Sequence, residues 1–287
     1  IFYIGCVFLL GLPLVLSEIF IGRAGQTDAV GSIRKVARDS NVSQAWSIFG
    51  GIGALAAFLI LSFYSVVAGW VLYYAGVFGA DLIQAIGAGD PFRSALAGES
   101  QAMIEGRMGD LFGNVGLLLA MHFCFMGATL FIVARGVHSG IEAAATILMP
   151  MFFVLLVGIT IYGAIVGDLT DTLAFLFTPD WSKLTPVVMN SALGQALFSL
   201  SLGVAGLITY GSYIKGSDGL GGTAALIAVA DTGVALLAGL MIFPVVFAVG
   251  LDPAAGPTLV FQSLPFAFQS MPAGALIGFL FFILILV

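Results

Sequence analysis

Asn190-Ser191-Ala192-Leu193-Gly194-Gln195-Ala196-Leu197-Phe198-Ser199-Leu200-Ser201-Leu202-Gly203-Val204-Ala205-Gly206-Leu207-Ile208-Thr209-Tyr210-Gly211 carries no charge and is long enough to cross a bilayer core. Its middle is poorly suited to a continuous helix. Gln195, Ser199 and Ser201 are polar, and Gly203 and Gly206 each cost roughly 1 kcal/mol against alanine in a helix interior. A break here would free carbonyl and N–H groups at mid-membrane depth, where they could hold an ion beside a zwitterion. The same small residues also suit tight helix packing, and composition leaves both readings open.

The surrounding composition fixes the solvent. Of 287 residues, 60% are apolar and 8% charged, against about 25% charged in a soluble domain. A soluble core of this size would need a charged surface that the chain cannot supply. Hydropathy predicts about seven spans, near 1–22, 46–78, 111–133, 144–167, 188–213, 222–250 and 273–287, the last incomplete. Backbone groups in lipid must be satisfied within each segment, which predicts an all-α polytopic membrane protein. A closed barrel would need alternating segments of about 10 residues, which are not seen. The chain opens Ile1-Phe2-Tyr3 and stops at Leu286-Val287 inside an apolar run, so it reads as a piece of a longer protein.

The loops set an orientation. Arg23, Arg34, Lys35, Arg38, Arg135 and Lys215 fall on one side of the predicted spans, and Arg93, Arg107 and Lys183 on the other. Six basic residues against three put the first side in the cytoplasm, which makes the Asn41-Val42-Ser43 sequon a chance match. The net charge of −6 falls mostly in loops on the outer side, and there is no basic patch for nucleic acid. Cys6 and Cys124 lie in apolar runs and read as small buried side chains, without disulfide or metal spacing. Residues 79–110 read as a polar outer loop with a short helix. Residues 251–272 are apolar yet punctuated by Pro253, Pro257, Pro265 and Pro272, which suits either a re-entrant or capping hairpin or an ordinary interfacial loop.

Two carboxylates lie where lipid should forbid them, and such groups mark function by default. Glu18, near the inner end of the first span, is expected to pair with Arg23 or to accept N–H bonds from a broken helix nearby. Asp231, inside Ala228-Val229-Ala230-Asp231-Thr232-Gly233, needs a cation, a donor cluster or a proton. Tyr64 needs a partner for its hydroxyl, which a neighbouring helix could also supply.

Gly194-Gln195 through Gly203, followed by Ile208-Thr209-Tyr210-Gly211-Ser212-Tyr213, closely resembles the sixth helix of the neurotransmitter:sodium symporters. Gly11-Leu12-Pro13 through Glu18, closing with Gly22-Arg23, is similar to the second helix of that family. Tyr64 and Trp70 fit the third, and Gly140-Ile141-Glu142 running to Met149-Pro150 fits the start of the fifth. The resemblance covers essentially the whole chain, from the second helix to the beginning of the eighth. It implies one transmembrane transporter domain over 1–287, part of a fold of two inverted five-helix repeats with broken first and sixth helices. The implied activity is sodium-coupled symport of an amino acid by alternating access across the plasma membrane, the inner membrane of a prokaryote.

The resemblance also implies roles. Tyr64 would donate to the substrate carboxylate and Phe198 would close the pocket from outside. Ser199 would serve the first sodium ion, and Ser201 with the backbone to Gly203 would meet the substrate amino group and side chain. Ile60 and Val204 would line the side-chain pocket. Tyr3, Gln195, Ser199 and Asp231 would converge on the first sodium site and the adjacent chloride site. There Asp231 would act as acidic substitute or direct ligand, making chloride unnecessary. Gly140 and Pro150 would let the inner end of the fifth helix unwind, and Phe268 would lie in the outer vestibule. The implied partners are the bilayer, Na⁺ as the only metal ion, and a small zwitterionic amino acid. No cofactor, nucleic acid or enzymatic chemistry is expected: there is no catalytic triad, ligand cluster or nucleotide loop. A channel would instead show large unitary currents, and a substrate sensor would bind without uptake.

Overall fold

The computed structural model describes residues 2–214, 219–254, 256 and 258–287. Lys215 and Pro257, which entered the topology and hairpin readings, lie outside them. All regular structure among the described residues is helical, as expected. In chain order the helices are α1 (Phe2–Cys6), α2 (Leu12–Gly25), α3 (Ala29–Asp39), α4 (Ile48–Gly87), α5 (Gln101–Gly113), α6 (Val115–Val133) and α7 (Ala143–Val166). They continue with α8 (Leu169–Phe177), α9 (Pro186–Ser199), α10 (Gly206–Gly211), α11 (Leu220–Ala248), α12 (Leu264–Gln269) and α13 (Gly274–Leu286). Wider π-turns at Val7–Gly11, Val137–Glu142 and Leu259–Ser263 join α1 to α2 and lead into α7 and α12.

Local chemistry sets many helix starts. Asp28, Ser100, Asn114 and Thr185 each accept a backbone N–H from three residues ahead, the arrangement of an N-cap. Pro186 then begins α9, where a missing N–H costs nothing.

Five helical stretches among the described residues are long and apolar enough to cross a membrane: Phe2–Gly25, Gln44–Gly87, Val115–Val133, Val137–Val166 and Leu220–Ala248. The expected span 188–213 is instead two helices, α9 and α10, with a gap between them. The expected outer loop 79–110 is shorter than its polarity suggested. The first part stays helical to Gly87, because Phe78 and Ala85 are buried and hold α4 to its packing. Loops expected between spans also carry helix, namely α3 and α8. Cys6 is buried as expected, whereas Cys124 is exposed. Leu9, Ile83, Val154 and Ile165 are also more than 70% exposed, a surface suited to acyl chains rather than water.

By contact the chain divides into two compact units, Ile1–Ser62 with Phe177–Leu236, and Phe63–Leu176 with Leu237–Val287. The first is built on close backbone approach. Val7, Val15 and Ile19 from the first span pack with Ala196 of α9, with Leu200 just past its end and with Ala224 and Ala228 of α11. A side chain at Gly22 on α2 would run into the carbonyl of Ile208 on α10, and one at Gly211 would meet the Ile19 carbonyl at 2.6 Å. The two glycines thus let α2 and α10 touch through their main chains.

The second unit has an aromatic core. Tyr74 stacks on Phe282 at 5.1 Å, Phe78 lies 5.3 Å from Phe282, and Phe268 meets Phe281 edge-on at 5.4 Å. Such pairs contribute about 0.5–1.5 kcal/mol each beyond their burial. Gly278 leaves the room that the Phe78 ring fills.

Replacing Gly22 by Ala is expected to destabilise the protein by about 1–3 kcal/mol through overpacking against α10, measured as a lowered unfolding midpoint in detergent. Asp28 should show a cap effect with a pH signature. The Gly31 amide holds its carboxyl below the ordinary range. Its contribution is therefore present above the unfolded pKa and is lost as pH falls through the lower folded one. Asp28→Ala should cost about 1 kcal/mol at neutral pH, while Asp28→Asn should keep most of the cap and lose the pH dependence.

Candidate functional site

The site is built around the gap between α9 and α10. The α9 helix ends in a reciprocal cap: Leu202 N–H donates to the Leu197 carbonyl at 3.0 Å, and Ser201 N–H to the Phe198 carbonyl at 3.0 Å. This pairing terminates a helix through a left-handed residue, usually glycine. Here that residue is Ser201, at φ +54°. Gly203 at φ +80° and Ala205 at φ +61° follow, before α10 resumes at Gly206. Two non-glycine residues in the left-handed region each cost on the order of 1–2 kcal/mol. The surrounding packing must hold them there.

Two side chains from other helices engage the gap. Glu18 on α2 accepts the Gly203 N–H at 2.8 Å through Oε1. Of the two partners expected for Glu18, the broken helix is therefore a real one. Ser199, the last residue of α9, donates its hydroxyl to Asp231 of α11, at 2.9 Å to Oδ1 and 2.7 Å to Oδ2. With its proton turned toward the carboxylate, the Ser199 oxygen keeps its lone pairs for a cation, and Asp231 adds negative charge beside it. Ser199 Oγ and the Asp231 oxygens are hard donors of the kind that suit Na⁺. Among the described residues, no group of three or more His, Cys, Asp or Glu is placed to hold a metal ion.

Other expected site residues fall into place unevenly. Gln195 lies one turn before Ser199 on α9 and so shares its face. Tyr3 on α1 packs against the cluster that contains Ala196 and Leu200. Among these four residues the direct hydrogen bond is the one from Ser199 to Asp231. Phe198 is 53% exposed at the end of α9. Val204 lines a cleft of about 430 Å³ with Ala54 and Ala57 of α4 and with Thr209 and Tyr210. Ile60 lies further along α4, outside the walls of that cleft.

In the second unit, Tyr64 on α4 meets Phe63 edge-on at 5.9 Å. Gly140 sits in the Val137–Glu142 π-turn and Pro150 inside α7, and the helical stretch from Val137 to Val166 is fully wound. Gly140 is needed where it is, since a side chain there would strike the Ile132 carbonyl. Phe268 is 2% exposed and packs on Phe78 and Phe281, as a core residue of its unit.

The sequence reading missed one contributor. A side chain at Gly53 of α4 would meet the Gly203 carbonyl and the Ala205 amide, both at 3.0 Å, so this glycine lets α4 lie against the gap. The signal was the run Gly50-Gly51-Ile52-Gly53, which by itself reads as flexible or small-residue packing.

Comparison with known proteins gives this geometry a family. Residues 104–287 match the model of the sodium:neurotransmitter symporter family. The chain is 39% identical over 274 residues to the uncharacterized sodium-dependent transporter YhdH of Bacillus subtilis, covering 95% of this chain and 57% of that protein. It is 35% identical over 283 residues to an uncharacterized sodium-dependent transporter of Haemophilus influenzae, covering 97% and 59%. The crystal structure of MhsT in complex with L-phenylalanine superposes with a TM-score of 0.83 at 44% identity, covering 99% of this chain and 61% of that one. The chain thus spans about three fifths of the length of these relatives, and the matched family and the Bacillus and Haemophilus relatives are transporters by name. An all-helical membrane chain, broken at residues 200–205 and matching this family model over its larger part, belongs to the sodium:neurotransmitter symporter family.

Proposed function

We propose that this chain is the central part of a sodium-coupled symporter that carries a small zwitterionic amino acid across the plasma membrane by alternating access. Its two compact units are read as parts of one transporter domain. The observation that carries the proposal is the gap after Ser199, with Asp231 on its hydroxyl and Glu18 on the Gly203 amide. Sodium-dependent relatives and an L-phenylalanine complex of a similar protein support the choice of ion and substrate class.

Each role follows from the chemistry of the group. Ser199 and Asp231 take the first sodium ion. The fixed charge of Asp231 stands in for chloride, with Tyr3 and Gln195 assigned to the same site, because a carboxylate offsets Na⁺ without a second ion from solution. Ser201 and the open main chain to Gly203 receive the substrate amino group, and Tyr64 donates to its carboxylate. Ile60 and Val204 border the side chain. Phe198 closes from outside, with the hairpin that carries Phe268. On the inside, the π-turn and the start of α7 unwind between Gly140 and Pro150: proline already lacks one helix hydrogen bond and glycine adds backbone freedom. Sodium drives the cycle if it binds the outward-open state more tightly and completes the substrate site, since a ligand shifts a population only through differential affinity.

The test uses the full-length protein in vesicles or detergent. Sodium-dependent binding of at least one common amino acid is expected, with little in potassium or choline; equal binding without sodium would defeat the proposal. Asp231→Asn and Ser199→Ala should each weaken sodium about tenfold or more, the loss expected on removing a charged hydrogen-bond partner worth about 1.5–3 kcal/mol. Replacing chloride with gluconate should leave wild-type uptake unchanged and should impair Asp231→Asn. A large loss in the wild type would remove Asp231 from the role of chloride substitute.

A further inference from the structure

The outer edge of the second unit contains a buried ion pair that none of these roles uses. Asp81, near the end of α4, is 7% exposed. Its Oδ1 accepts from the Arg93 guanidinium at 2.7 Å and its Oδ2 accepts the Leu96 amide at 2.9 Å. The same Arg93 nitrogen lies 3.3 Å from the Asp81 carbonyl, so arginine grips both the side chain and the main chain at this point. Leu96 is itself unusual: it is buried and sits at φ +48°, a conformation that a leucine avoids.

What Leu96 gains by this conformation is a set of carbonyls aimed at a different segment. Gln269, at the end of α12, donates its Nε2 to the Leu96 carbonyl at 3.1 Å and to the Glu99 carbonyl at 2.7 Å. Main-chain bonds run in the same place, from Ala95 N to Phe268 O at 3.3 Å and from Ala273 N to Phe92 O at 2.8 Å. A side chain at Gly274 would strike the Phe268 carbonyl and lie 2.8 Å from the Ala95 amide, so the two segments pass as close as their backbones allow. Glu99 is fixed in turn by Arg107 of α5.

We propose that Asp81 is a positioning residue. Through Arg93 and Leu96 it straps the hairpin around α12 to the outer half of α4, so that the hairpin carrying Phe268 and the helix carrying Tyr64 move as one piece. The strap is a statement about the second unit alone, and its effect on transport rests on the carrier reading above. A buried ion pair is weak evidence for stability, since apolar residues often serve as well. Here the charge does something they could not: it bonds an amide held in a left-handed turn and so sets the direction of the carbonyls that Gln269 reads.

Hydrogen exchange on the full-length protein tests this directly, comparing Asp81→Asn and Gln269→Ala with the wild type by mass spectrometry. Both variants should speed exchange about tenfold or more in residues 90–99 and in residues 268–275 together, with residues 189–199 unchanged. Asp81→Glu should restore part of the protection. Faster exchange in 90–99 alone, or none in the hairpin for either variant, would overturn the strap. Gln269→Ala leaves the ion pair intact and decides the matter if Asp81→Asn does not fold. Where the wild type shows sodium-driven uptake, both variants should raise the substrate KM several-fold while uptake stays sodium-dependent; an unchanged KM would mean that the strap has no part in transport. A wild type without sodium-driven uptake would end the carrier reading, and the exchange data would still judge the strap.

Discussion

An exposed peptide group in hydrocarbon costs several kcal/mol, so a membrane helix can stop midway only where something else satisfies its main chain. That constraint governs residues 199–206. The α9 helix caps itself with the bonds of Ser201 and Leu202 back to Phe198 and Leu197. The next donor, the Gly203 amide, goes to a carboxylate on α2. Glu18 is thus less an intruder in lipid than the partner that makes the gap tolerable. The gap accounts for one oxygen of that carboxyl group, Oε1, while Oε2 is buried without a hydrogen-bond partner among the described residues; an amide without an acceptor would be costly alone.

The packing of the first unit serves the same end. Gly22 and Gly211 bring α2 and α10 into main-chain contact, which places Glu18 within reach of Gly203. Gly53 admits α4 against the carbonyl of Gly203 and the amide of Ala205. Left-handed Ser201 and Ala205 are not residues that choose this conformation for themselves. The neighbouring backbones, pressed close by glycine, hold them in it. The second unit is packed by other means, through stacked and edge-on rings between α4, α12 and α13 and an ion pair at its rim. Close backbone contact keeps a polar gap open in one unit, and bulky rings pack the other.

Much of this was legible in the residues. Long apolar stretches separated by short charged segments leave no alternative to membrane helices, because neither water nor a barrel could accept them. The polar and glycine run at 195–206 allowed a break while leaving tight helix packing equally open, and the two intramembrane carboxylates announced that something would meet them. The continuation of α4 to Gly87 and the helices α3 and α8 were not legible. Amphipathic or moderately polar segments become helical when a face finds a packing partner, and that partner lies far off in sequence. Nor was the burial of Phe268 evident, since a proline-punctuated apolar loop gives no sign of which ring turns inward.

The sequence by itself determined the solvent, the helical class and the position of the weak point, since these depend on composition and on neighbours along the chain. Tertiary structure alone decided which partner each polar group would have. Glu18 meets Gly203 across 185 residues, and Ser199 meets Asp231 across 32. The choice turns on how closely two backbones can approach, which is fixed by glycines on separate helices and cannot be read from either helix alone.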